Sequence, residues 1–106
     1  MSRTPNQAAG DTLTRTRTEA KTASPPQYRV LLLNDDYTTW DFVLYVLMRY
    51  FRKDLAEAQR ITRDVHQQGV GLAGIYPFEV AETKAEQVNR AARQEGHPFR
   101  ATLEPD

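Results

Sequence analysis

Apolar residues are sparse up to Pro26 and periodic after it. Through the first 26 residues the chain is rich in Thr and Ala, and Leu13 is the one large aliphatic residue after Met1. Such a stretch cannot bury enough surface to offset the entropy of ordering it, and Pro25-Pro26 marks its end. Residues 1–26 therefore read as a flexible tail and residues 27–106 as one small domain. The run YRVLLL, Tyr28 to Leu33, lies between Pro-Pro and Asn-Asp-Asp, as a mostly buried strand does. Val43, Val46, Leu47, Tyr50 and Phe51 then recur at helical spacing, with Thr38 and Asp41 placed as a capping box with a shortened acid. That acid also suits the positive end of the helix dipole. A second helix is expected from near Asp54 to near Gly69, its buried stripe formed by Leu55, Ala58, Ile61 and Val65. The link between the two is short enough to make a helical hairpin.

Beyond Gly69, the run VGLAGIYPF places Val70, Leu72, Tyr76 and Phe78 on one face of a strand, with Gly71 and Gly74 allowing close backbone approach. Pro77 lacks an N–H and ends this strand or puts it at an edge. A third helix spans roughly Glu79 to Glu95 with a thin stripe of Val80, Ala85, Val88 and Ala92, and stops at Gly96. Phe99, Ala101 and Leu103 alternate with Arg100, Thr102 and Glu104 as a last half-buried strand. The order strand, helix, helix, strand, helix, strand implies an α+β fold, a small sheet covered by helices on one side.

Composition narrows the function classes. With no cysteine the chain has neither a disulfide framework, a thiolate metal site nor a cysteine nucleophile. The tail carries Arg3, Arg15, Arg17 and Lys21 against Asp11 and Glu19, whereas from Gln27 onward acids outnumber bases by twelve to ten. A slightly acidic globular part does not suit nucleic acid. No apolar run approaches the roughly 20 residues of a membrane span, and the N-terminus lacks the apolar core of a secretory signal, so a cytoplasmic protein is expected.

Candidate chemistry gathers after the first strand. Asn34, Asp35 and Asp36 offer several oxygen acceptors, and His66 could bring a ring nitrogen to the same area. On the second helix Thr62 and His66 are four apart and share a face with Val65, giving a polar rim over an apolar floor. A neutral imidazole nitrogen and two carboxylates are what a protonated primary amine seeks. The same three polar residues would also serve as a turn whose side chains bond the local backbone. A metal site of Asp35, Asp36 and His66 lacks any recognised ligand spacing, and an acid/base pair of Asp35 and His66 lacks a second catalytic group. Neither metal, cofactor nor catalytic residue is expected.

Four segments in order, VLLLNDDYTTWDFV, VHQQGVGLAGIY, EVAETKAEQVNRAAR and HPFRATLE, resemble the successive signatures of the ClpS family, adaptors that deliver N-end rule substrates to Clp proteases. The resemblance runs from Tyr28 to Glu104. It implies a three-stranded antiparallel sheet packed by three helices, in the order β-α-α-β-α-β, and binding without catalysis. The ligand would be the N-terminal segment of a protein beginning with Phe, Leu, Trp or Tyr, passed on to a ClpA-type AAA+ unfoldase by a monomeric adaptor. Carried onto matching positions, Asn34, Asp35 and His66 would bond the free α-amine and first peptide group. Asp36 and Thr38 would line or brace the mouth. Val43, Thr62, Val65 and Phe99, with Trp40 at the entrance, would surround the side chain. Glu79, Glu82 and Lys84 would dock on the N-terminal domain of the unfoldase, and the tail would be needed for hand-over.

The chain departs from the family pattern at Thr39-Trp40, where Pro-Met is usual, at Thr62, where methionine is usual, and at Phe99, where an aliphatic residue is commoner. Methionine adapts to different ligands, whereas an indole is larger and stiffer. The expectation is a shifted residue preference, with Trp40 narrowing the entrance and Thr62 shortening a more polar floor. The alternative is a docking module, such as occurs in ribosomal stalk proteins of similar architecture, that modulates the unfoldase without recognising N-termini.

Overall fold

The computed structural model describes residues 25–106, so the expected tail, apart from Pro25 and Pro26, lies outside the described residues. Three strands, β1 (Gln27–Leu33), β2 (Val70–Pro77) and β3 (Arg100–Pro105), form one sheet in the order β2-β1-β3, both pairings antiparallel. Helices α1 (Trp40–Tyr50), α2 (Leu55–Gln68) and α3 (Phe78–Gln94) complete the order β-α-α-β-α-β. β1 takes the middle because it is apolar on both faces: Val30 and Leu32 are buried toward the helices, while Leu31 and Leu33 are half-buried on the other side.

Helix boundaries follow from local chemistry. The cap of α1 is Thr39, whose Oγ1 accepts from Phe42 N–H at 3.2 Å, and not Thr38 as the spacing suggested. Thr38 is unavailable because Asp35 holds both its hydroxyl and its N–H. Asp54 caps α2 by accepting from Glu57 N–H at 2.8 Å, and Gly69 ends it in the left-handed region at φ 86°. The buried stripe of α2 begins at Ala58; Leu55, expected on it, is the first helical residue at the hairpin corner and is exposed.

The apolar faces of β2 and α3 both differ from expectation, and on β2 the reason is the closeness of α2. A Cβ on Gly71 would lie 2.6 Å from Val65 Cγ2 and 3.2 Å from Ile61 O, so only small residues fit on the helix-facing side. Gly71 and Ala73 therefore face the core, and Val70, Leu72 and Ile75 turn outward. A bulge permits this: Val30 pairs with Gly74 and Leu31 with Leu72, leaving Ala73 as the extra residue. Phe78 opens α3 and packs edge-on against Tyr28 at 5.1 Å. On α3 the buried residues are Ala81, Ala85, Val88 and Ala92, so Ala81 takes the place expected for Val80, which is exposed. Asn89 clamps the free edge of β3: its Oδ1 accepts from Ala101 N–H at 2.8 Å and its Nδ2 donates to Ala101 O at 3.1 Å.

Gly71→Ala should overpack the α2–β2 contact and destabilise the domain by about 1–3 kcal/mol, read as a lower denaturation midpoint with an unchanged slope.

Candidate functional site

One hydrogen bond assembles the site. At the end of β1, Asn34 N–H donates to Gly69 O at 3.0 Å, and Gly69 N–H in turn donates to Val65 O at 3.0 Å. The strand end is thereby tied to the last turn of α2, the turn that carries His66. Gly69 can make this link because its positive φ carries no Cβ penalty.

Two acceptors result. The Nδ1 of His66 lies 3.0 Å from Thr62 O, and a carbonyl can only accept, so Nδ1 bears the hydrogen and Nε2 of the neutral ring keeps a lone pair. The Oδ1 of Asn34 is buried and has no hydrogen-bond partner. A buried acceptor left unpaired costs free energy of about 1–3 kcal/mol, so this oxygen has capacity for a donor that reaches it.

Asp35 shapes the loop that follows. Its Oδ1 accepts from Tyr37 N–H at 2.7 Å and Thr38 N–H at 2.8 Å, and its Oδ2 accepts from Thr38 Oγ1 at 2.5 Å. Partial burial would raise its pKa, but the Thr38 hydroxyl, the two N–H groups and the charge of His97 outweigh it and hold the carboxyl below its usual range. The group stays ionised and keeps lone pairs for a further donor. Asp36 and Tyr37 are exposed beside it. The loop delivers Trp40 into the first turn of α1, where its ring sits 5.4 Å from the His66 ring at an interplanar angle of 41°. Trp40 is 39% exposed.

Below this pair the hairpin is closed. Val43, Thr62 and Val65 are 0% exposed and Phe99 is 2% exposed, with Phe99 edge-on to Phe42 at 6.1 Å. The structure thus brings Asn34, Asp35, Thr38, Trp40 and His66 to one end of the sheet, with Val43, Thr62, Val65 and Phe99 sealed in the core. A cavity of about 430 Å³ between α1 and α3, bordered by Phe42, Tyr45, Tyr50 and His97, is roomier but lies outside the acceptor set. Its chief signal in sequence, the aromatic spacing of Phe42 and Tyr45, reads as helix surface. Among the described residues no three His, Cys, Asp or Glu side chains converge as a metal site, and no helix is long and apolar enough to cross a membrane.

A second surface lies on α3. A groove of about 370 Å³ is lined by Glu79, Val80, Thr83, Lys84 and Gln87, with Glu82 exposed on the same helix. Lys84 is anchored: its Nζ donates to Tyr50 O at 2.8 Å and lies 5.2 Å from the Tyr76 ring centroid. It closes an orphan carbonyl at the end of α1 and keeps two N–H donors for an outside acceptor. Exposed Val80 adds an apolar contact that the sequence pattern had assigned to the core.

Comparison with known proteins shows the family. A family model described as "ATP-dependent Clp protease adaptor protein ClpS" matches residues 23–102. The chain is similar to the ATP-dependent Clp protease adapter protein ClpS of Phenylobacterium zucineum (strain HLK1), 54% identical over 91 residues, covering 86% of this chain and 84% of the relative. The protein of the same name from Caulobacter sp. (strain K31) is 50% identical over 101 residues, covering 95% of this chain and 92% of the relative. The fold matches the structure of Agrobacterium tumefaciens ClpS2 bound to L-phenylalaninamide with a TM-score of 0.75 at 35% identity, over 78% of this chain and 100% of that one.

The lowered Asp35 pKa carries a sign. Its contribution to stability is complete above the usual carboxylate range and disappears as the pH falls through the lowered value. Asp35→Ala should cost about 1–3 kcal/mol at neutral pH, and the gap to the wild type should close in strongly acidic buffer, as measured by denaturant titration across the pH range.

Proposed function

Since the chain belongs to the ClpS family of ATP-dependent Clp protease adaptors, we propose that it binds proteins with a free, hydrophobic N-terminal residue and delivers them to a ClpA-type AAA+ unfoldase. The observation that carries this reading is the pair of acceptors held at the end of β1, the unpartnered Asn34 Oδ1 and the Nε2 that the His66 tautomer leaves free. A protonated α-amine supplies three donors to such a set, with the ionised Asp35 adding charge. L-Phenylalaninamide, bound by the similar ClpS2, consists of that amine, a benzyl side chain and one amide.

The first side chain of the substrate enters between α1 and α2, against Val43, Val65 and Phe99, with Asp36 and Thr38 bracing the mouth. Because those walls are sealed, entry requires Trp40 to swing off His66. Each charge-assisted bond contributes about 1.5–3 kcal/mol and burial of the side chain about 1.5–3 more. After association costs, affinity is on the order of micromolar. Nothing in this arrangement attacks a bond, so the adaptor acts without catalysis. The groove of Glu79, Val80 and Lys84, with neighbouring Glu82, docks on the N-terminal domain of the unfoldase. The sealed walls favour a second reading, a module that docks on the unfoldase and never takes up an N-terminus.

Fluorescence anisotropy with labelled peptides that differ only in their first residue separates the two. Peptides beginning with Phe, Leu, Trp or Tyr should bind with a free amine and lose at least tenfold when acetylated, because the charge is removed and bulk is added. Equal binding of free and acetylated peptides, or none with unfoldase binding retained, would establish the docking module. Trp40→Met should tighten binding of several of these peptides; unchanged affinities across the panel would show that Trp40 does not gate the pocket.

A further inference from the structure

Only two polar residues are buried among the described residues, Thr38 and Thr62. Thr38 is accounted for by Asp35, whereas Thr62, at 0% exposure, sits in the wall of the proposed pocket without a part in binding the amine. Its hydroxyl hydrogen is already committed: Oγ1 donates to Ala58 O at 2.7 Å. A hydroxyl whose hydrogen is spent has two lone pairs left, so toward a ligand Thr62 is an acceptor only. Nothing apolar uses that capacity.

Position adds the second half of the argument. Thr62 precedes His66 by four residues on one face of α2, which places it about 6 Å further along the helix axis. An amine held at His66 with its side chain running back along α2, past Val65, spans that distance with a para-substituted benzyl group. The atom that arrives at Thr62 is then the para substituent. A phenolic O–H there finds the acceptor it needs, while phenylalanine leaves the hydroxyl facing a bare ring edge and leucine ends short of it. An indole also carries a donor, but on its five-membered ring and not at the para position, so it does not meet Thr62 in the same way.

We propose that Thr62 makes this pocket selective for N-terminal tyrosine, by accepting a hydrogen bond from the phenol. The proposal rests on the reading of the site as a receptor for free N-termini. One net hydrogen bond corresponds to a preference of about threefold to tenfold for Tyr over Phe.

The test compares four peptides identical after the first residue, starting with Tyr, Phe, 4-fluorophenylalanine or acetyl-Tyr, against wild type, Thr62→Val and Thr62→Ser, each variant first shown to keep a cooperative thermal transition. The ratio of Tyr to Phe affinities should favour Tyr in the wild type, fall to near one in Thr62→Val, and return in Thr62→Ser, which restores the hydroxyl. A change in packing alone would move Tyr and Phe together and leave the ratio as it was. 4-Fluorophenylalanine, which fills the para position without a donor, should bind like Phe or worse. Equal wild-type binding of Tyr and Phe, or a ratio that survives Thr62→Val, overturns the selectivity while leaving the amine receptor intact. Acetyl-Tyr binding as well as Tyr overturns the receptor reading itself, and the proposal with it.

Discussion

The hydrogen bond from Asn34 N–H to Gly69 O holds together the end of this fold that carries the candidate site. It joins the last residue of a strand path to the last carbonyl of a helix, two groups that each element would otherwise leave unpaired. Everything at the site is placed from that bond: Asn34 directs its side chain from one side of it, and His66 stands one turn before it on the other. The Asp35 loop begins at the next residue, and the loop in turn sets where α1 starts and where Trp40 lies.

The rest of the scaffold serves to keep α2 close enough to the sheet for that bond to form. Glycine and alanine at 71 and 73 let the helix descend onto β2, and the bulge opposite Val30 and Leu31 absorbs the extra residue this demands. Closeness has a cost in where large side chains can go. Val70, Leu72 and Ile75 are displaced to the outer face of the sheet, where Leu31 and Leu33 accompany them. The same tight packing buries Thr62 and Val65 within the hairpin, with the Trp40 and His66 rings side by side at its end.

The fold was largely legible in the sequence because most of its elements announce themselves locally: the YRVLLL run, the Asp54 and Gly69 caps, and the alternation from Phe99 to Leu103. The candidate site was legible in part. Asn34, Asp35 and His66 stood out as acceptors, yet from the residues alone they also fitted a turn; Asp35 does bond the local backbone at Tyr37 and Thr38, and a role toward an amine is what the resemblance to the ClpS family implies. Errors fell where a neighbour overrides a local preference. Thr38 has the spacing of a helix cap and lost that role to Thr39 because Asp35 competes for it. Leu72 has core composition and faces outward because α2 passes too near its strand for a large side chain, and Val80 is exposed while Ala81 takes the buried place on α3.

The sequence by itself determined the order of elements, the caps and the supply of acceptors, since these depend on side-chain chemistry and on neighbours a few residues away. Only the tertiary structure decided which acceptors are free. Whether Asn34 Oδ1 has a partner depends on what surrounds it in the fold, and whether Lys84 is a loose surface charge or a clamp on Tyr50 depends on two groups 34 residues apart. No local pattern encodes contacts of that kind, because they are set by how the helices pack against one another and against the sheet.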